Sequence, residues 1–221
     1  GTAIMTASTL ENATEANTTA LTQGEMKRSS FESYLAVAAE CSELISSNLN
    51  RAGELVNSFK KIAVEQTSRQ ERTFPIKAYF HEVVTNLTPQ IHQNSHQVTL
   101  HGSDTLIIQS DPGSISQVIT NLLTNSLTHA YPDGSAGNIS IAIEQQNSDI
   151  ALVYHDDGCG ISVVDQGRIF EPFFTTTRDR GGSGLGLHVV YNIVTQTLRG
   201  TIGVVSSPEE GTTFTITFPV A

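Results

Sequence analysis

The sequence predicts an α+β protein: an antiparallel helical hairpin followed by a two-layer α/β sandwich with a mixed sheet. Three observations predict it. Residues 29–68 carry one long apolar stripe at alternating steps of three and four. After Arg72 the periodicity changes, and short alternating runs are interspersed with helical stretches. The closing runs, 201–206 and 212–218, flank a tight turn at 208–211 with no crossover helix between them, which excludes a doubly wound sheet.

Residues 1–23 read as a helix on which Ile4, Ala7, Leu10, Ala13, Asn17 and Ala20 share a face. Its many threonines and asparagines favour helix weakly, so it needs a partner. A turn near Gln23-Gly24 supplies one. Ser29 followed by Glu32 is a capping box, and Leu35, Ala38, Ser42, Ile45, Leu49, Ala52, Val56, Phe59 and Ala63 then form the stripe. Cys41, Leu44, Leu55 and Ile62 widen it on one flank. So wide a face wants more than one partner, and a lone hairpin has too little core. Two copies are therefore expected to associate as a four-helix bundle, with residues 1–72 forming this domain and 73–221 the next.

In the second domain, 74–76 reads as a short edge strand and 78–92 as a helix. Strands are expected at 97–101 and 106–108, around the Gly102-Ser103-Asp104 turn. Pro112 suits the first position of a helix that runs to about Ala130, with a loop at 131–137 after it. Ile139, Ile141 and Ile143 alternate cleanly in a strand over 138–144, and another covers 150–154. Residues 184–197 are helical, and the two closing strands follow.

Composition fits a globular chain of 221 residues, 38 % of them apolar. No run approaches 18 consecutive apolar residues, and no basic stretch leads into an apolar one, so neither a membrane span nor a signal peptide is expected. Cys41 and Cys159 lie far apart without zinc spacing and read as free thiols. The net charge of -10 is uneven: residues 73–221 hold five basic and thirteen acidic residues. So acidic a domain is a poor non-specific partner for nucleic acid. An anionic ligand must be held by local backbone donors and helix ends.

Four segments of this domain carry chemistry. Asn121 and Asn125 lie four apart on one helix face, opposite Val118, Ile119, Leu122 and Leu123. They suit a ligand or metal contact, or else a solvent face or a core polar network. Asp156-Asp157-Gly158-Cys159-Gly160 follows a strand directly; its carboxylate can accept from an exocyclic amine, and its glycines let backbone approach a flat ligand, unless they serve a turn alone. Phe170-Glu171-Pro172-Phe173-Phe174-Thr175-Thr176 holds loop aromatics that must pack on something. Gly181-Gly182-Ser183-Gly184-Leu185-Gly186-Leu187 opens a helix and offers N–H groups to phosphates. It lacks both the lysine of a P-loop and the preceding strand of a dinucleotide fingerprint.

In this order and at these separations, the segments resemble the N, G1, F and G2 boxes of the ATP-binding domain of two-component sensor histidine kinases. That domain shares a superfamily with DNA gyrase, the Hsp90 chaperones and the MutL proteins. The resemblance implies the histidine-kinase ATPase fold, with ATP and Mg²⁺ as ligands. Asn125 would coordinate Mg²⁺, and Asn121 would contact the phosphates or the metal's waters. Asp156 would accept from the adenine amine, with Gly158, Gly160 and Ile161 along the base. Gly182, Ser183, Gly184, Leu185, Gly186 and Leu187 would form the phosphate loop, with Phe170, Thr175, Thr176 and Thr213 completing the site. His129 stands where the family often has a phosphate-side polar group, or else caps the helix dipole. Two positions depart from the family pattern: Asp157 replaces the common asparagine, and Thr177 replaces a lysine after the F box. Arg178 is expected to take over that phosphate contact and, with Asn121, to serve catalysis.

The family's phospho-accepting histidine sits on the first helix, yet residues 1–72 contain no histidine. Gly1-Thr2-Ala3-Ile4 resembles the residues just after that motif, so the chain is expected to begin downstream of it and to be unable to autophosphorylate in the usual way. His81-Glu82 mimics the motif but falls in the second domain, as a surface pair. The resemblance implies a homodimer, a response-regulator receiver domain as partner, no nucleic acid and no membrane contact within these residues. It places this part in the cytoplasm, with any anchor elsewhere in the parent. The alternative is a nucleotide-regulated interaction module without transfer. A hydrolase of the gyrase or MutL kind would need a glutamate at Asn121.

Overall fold

The structure, a computed structural model, describes residues 2–65, 71–93, 95–176, 182–208 and 210–220. The chain divides into two compact units, Gly1–Lys60 and Lys61–Ala221. The first is a helical pair, α1 (Thr2–Thr22) and α2 (Arg28–Glu65). The turn between them closes with Glu25 N–H on the Ala20 carbonyl at 2.9 Å. Thr14 Oγ1 meets Tyr34 Oη at 3.2 Å across the turn, so the helices run antiparallel.

The expected stripe is covered only in part: Ala38 and Ile45 are half-buried, whereas Leu35 and Leu49 stay exposed, Leu49 at 63 %. Among the described side chains of α2, Cys41, from the flank, is the most deeply buried; the side chains of Val56, Phe59 and Ala63 lie outside those described. Small residues dominate α1, and one such helix shields only part of so wide a face. Phe31 and Leu44 also remain in the open. Among the described residues no helix is long and apolar enough to cross a membrane.

The second unit carries a five-stranded sheet in the order β2-β4-β5-β7-β6. These strands are β2 (Gln97–His101), β4 (Asn138–Gln146), β5 (Asp149–Asp156), β6 (Thr201–Ser207) and β7 (Gly211–Pro219). β2 pairs parallel with β4, and the other pairs are antiparallel, so the sheet is mixed. A separate ribbon joins β1 (Arg72–Pro75) to β3 (Ile107–Ser110). Helices α3 (Ile76–Asn86), α4 (Thr88–Gln93), α5 (Pro112–Asn125) and α7 (Gly186–Asn192) complete the unit, with a short α6 (Val163–Gln166) that the sequence did not signal.

The core lies between the layers. Ile139, Ile141 and Ile143 of β4, Leu152 and Tyr154 of β5, and Phe214, Ile216 and Phe218 of β7 form one apolar cluster with Phe80 of α3, Ile119, Leu122 and Leu123 of α5, and Val190 of α7. Each large side chain so buried contributes about 1.5–3 kcal/mol. The single helix expected over 78–92 is two, broken at Leu87. Pro89 has no N–H to give the preceding turn, and its ring disfavours helical geometry just before it. The strand expected at 106–108 starts one residue later and runs to Ser110, because its register is set by pairing with β1. Asp111 caps α5 by accepting from Gly113 N–H at 3.2 Å, ahead of Pro112. α5 then widens into a π turn, Ser126–Ala130, a distortion that often accompanies functional positions.

Candidate functional site

A cleft of about 340 Å³ opens between the end of α5 with its π turn, the loop after β5, α6, the loop before α7, and β7. That size suits a small-molecule ligand. Three expected anchors share it: Asp156, Asn125 and Gly184. Asn121, His129, Gly160, Ile161, Thr175, Thr176, Gly182, Ser183, Gly186 and Leu187 line it too.

Asp156 ends β5 and is 3 % exposed. Burial pushes its carboxyl up; the Ser126 hydroxyl at 2.7 Å on Oδ2 and the Gly158 N–H at 3.2 Å on Oδ1 pull it back. Its neighbour Asp157 turns away and clamps the loop. Burial raises that carboxyl as well, but Asn138, through side chain and backbone, and the Tyr131 hydroxyl outweigh it and hold it low. Burial keeps the half-buried His129 below the usual imidazole range.

Helical spacing puts Asn121 and Asn125 on one face. Asn121 Nδ2 donates to the Gln117 carbonyl at 2.9 Å, which fixes its carboxamide. Asn125 Nδ2 is buried with no hydrogen-bond partner in the protein. Among the described residues no three His, Cys, Asp or Glu side chains could hold a metal. A cation here would rest on the Asn125 carboxamide oxygen and on oxygens of the ligand and water, which suits Mg²⁺ with a polyphosphate. Gly184 adopts φ +67°, and a Cβ there would stand 2.5 Å from the Phe173 carbonyl carbon, so only glycine lets the loop pass. Phe173 N–H donates to the Gly184 carbonyl at 2.9 Å and ties the two ends of the loop together.

Four expected site residues do not line the cleft. Gly158 packs against Ala130, where a Cβ would lie 2.4 Å from the alanine Cβ, and its contribution is the N–H on Asp156. The Phe170 ring sits between Tyr191 and Phe214, with centroids at 5.4 and 6.4 Å. Leu185 is buried in the core. Thr213 points to the other face of the sheet, where Oγ1 meets His155 Nδ1 at 3.0 Å; Thr212 lines the cleft in its place. Arg178 lies outside the described residues.

Thr124, Ser126, Thr128, Asp165 and Thr212, which the motifs do not single out, also line the cleft, as does Phe174 of the F-box segment. The signal for two of them was present. Thr124 and Thr128 continue the Asn121–Asn125 face at steps of three.

A two-layer sandwich with a cleft that joins a buried carboxylate to the mouth of a glycine-rich loop defines the class, an ATPase-type nucleotide domain. The chain belongs to the Histidine kinase-, DNA gyrase B-, and HSP90-like ATPase family, whose model matches residues 110–221. Within that family its likeness is to sensor kinases. It is 32 % identical over 178 residues to sporulation kinase A of Bacillus subtilis, covering 80 % of this chain and 28 % of that protein. It is 39 % identical over 130 residues to the sensor histidine kinase ZraS of Escherichia coli, covering 58 % of this chain and 27 % of that protein. The chain thus spans under a third of the length of these relatives. The nucleotide-free catalytic domain of the histidine kinase ThkA superposes with a TM-score of 0.60 at 25 % identity, over 68 % of this chain and 95 % of that one.

Proposed function

We propose that residues 73–221 bind Mg²⁺–ATP and serve the phosphoryl-transfer step of a sensor histidine kinase, and that residues 1–72 are its dimerisation hairpin. The observation that carries this is the convergence of Asp156, Asn125 and Gly184 on one cleft. Asp156 accepts from the adenine amine, beside Ile161 and Thr212. Gly182, Gly184 and Gly186 present backbone to the phosphates. Asn125 holds the cation, which when bound neutralises charge on the β- and γ-phosphates. Asn121 orients the γ-phosphoryl group. A carboxamide has no basic atom near neutral pH and cannot take a proton from water as a glutamate could, which separates this reading from a hydrolase.

The acceptor in this reading is a histidine imidazole, which residues 1–72 do not contain. A receiver-domain aspartate then takes the phosphoryl group. The exposed Phe31, Leu35, Leu44 and Leu49 favour association of two hairpins. Arg178 supplies the charge that Thr177 does not. An Arg178→Ala variant with unchanged ATP affinity and turnover would remove that role.

Isothermal titration with a non-hydrolysable ATP analogue, with and without Mg²⁺, tests the whole reading. Binding tighter than about 1 mM, strengthened by the cation, is expected; weaker binding overturns it. The second reading, a nucleotide-regulated module without transfer, is favoured by the histidine-free hairpin. Incubation with γ-labelled ATP and a histidine-bearing kinase hairpin separates the two, since only the first reading yields a labelled acceptor.

A further inference from the structure

Two buried hydroxyls take no part in the reading above. Ser126 opens the π turn after α5 and is 4 % exposed; Tyr154 lies on β5, fully buried. Tyr154 Oη donates to Ser126 Oγ at 2.9 Å and also lies 3.2 Å from the Leu122 carbonyl. Ser126 Oγ donates to Asp156 Oδ2 at 2.7 Å. An ionised carboxylate only accepts, so the serine proton must point at Asp156, and the serine oxygen must accept from the tyrosine. The tyrosine proton is then divided between Ser126 Oγ, the nearer acceptor, and the Leu122 carbonyl. Apolar residues would fill both places in the core without any polar group to satisfy. Ser126 engages Oδ2 and Gly158 N–H engages Oδ1, and the Thr212 backbone also favours the charged carboxylate, which leaves part of its acceptor capacity for the cleft.

We propose that Ser126, backed by Tyr154, is a positioning residue that holds Asp156 as an oriented acceptor and so sets the preference for a 6-amino purine over a 6-oxo purine. This rests on the cleft being a nucleotide site. A 6-amino group donates to the carboxylate; a 6-oxo group faces it with a second acceptor and is rejected. Protonation of Asp156 would erase that contrast. The ionisable groups around Asp156 are Tyr154, His155 and Asp157 on and beside its own strand, His129 and Tyr131 at the end of the α5 helix, and Asp165 of α6 in the same cleft. β4 and β7 bring only Ile139 and Thr212 opposite it.

The test is titration of the 221-residue chain with ADP and with GDP in magnesium chloride between pH 5 and 8, beside Ser126→Ala and Tyr154→Phe. The unaltered chain is expected to prefer ADP. Ser126→Ala should weaken ADP about tenfold, the cost of one hydrogen bond to a charged group, and leave GDP unchanged. It should also move the midpoint of the ADP pH profile upward, because the carboxyl loses a donor. The isosteric Tyr154→Phe should shift both readouts the same way by less, and it decides alone if Ser126→Ala does not fold. A parallel loss of ADP and GDP affinity, or no change in ratio and midpoint, overturns the relay while the cleft assignment stands. Binding of neither nucleotide by the unaltered chain overturns the assignment and the relay together.

Discussion

Asn125 reaches the mouth of α7 because Gly186 has no side chain: a Cβ there would stand 3.2 Å from Asn125 Oδ1 and 3.6 Å from Asn121 Oδ1. Helix α7 can therefore bring its first residue against the carboxamide pair of α5.

Gly186→Ala should leave stability nearly unchanged. Alanine is the better helix former by about 1 kcal/mol, and the atom in its way is the end of a side chain. The displaced carboxamide should instead cost about tenfold in Mg²⁺-dependent ATP affinity, the loss of one charge-assisted contact. Titration with and without the cation checks this; equal losses in both would show that Asn125 does not hold the metal.

Asp156 should make the protein less stable as pH rises through the acid range. Burial raises its folded pKa above the unfolded value of about 3.9, so between those values the folded chain binds more protons than the unfolded one. That contribution is present below about pH 3.9 and lost by the time pH passes the folded pKa. Asp156→Asn should remove the slope and raise the thermal midpoint at pH 7.5, with ADP affinity reduced roughly 10–100-fold. A lowered midpoint with the slope retained would contradict the assignment of charge to this carboxyl.

His129 has the opposite sign. Its folded pKa is depressed by burial, so as pH falls below about 6.5 the unfolded chain takes up the proton first. Its contribution is fully present above that pH and is lost as pH drops through the folded pKa. His129→Gln should flatten this part of the profile in thermal melts from pH 5 to 8. An unaltered profile would assign the acid loss to another group.

Gly184→Ala tests the stem of the glycine loop. The residue must hold φ +67° and the new methyl meets the Phe173 and Phe174 backbone, so a loss of about 1–3 kcal/mol is expected from urea unfolding. A neutral result would mean that the loop has another path past Phe173.

The helices, the mixed sheet and the cleft anchors Asn121, Asn125 and Asp156 were legible because each rests on a local pattern: a step of four on a helix, or a carboxylate at a strand end before glycines. What was not legible depends on contacts distant in sequence. Thr212 and Thr213 are equally good candidates by type; the buried Phe214, Ile216 and Phe218 set a phase that places Thr212 inward, so the alternation held the answer that the motif did not. Ser126 reads as an ordinary helix residue until Asp156, thirty residues on, folds against it. The pairing of β1 with β3 leaves no mark on either strand alone.

The middle of the sheet has a consequence for how the protein is made. β7 lies between β5 and β6 and carries Thr212 and Phe214 into the cleft, although among the strands of this sheet it comes last in the chain. A nascent chain therefore has no complete ligand pocket until residues 211–219 emerge and insert beside β5, which leaves two hydrophobic strand edges open in the meantime. A ligand of this cleft can stabilise only the finished domain, so pocket completion and closure of the sheet are one event.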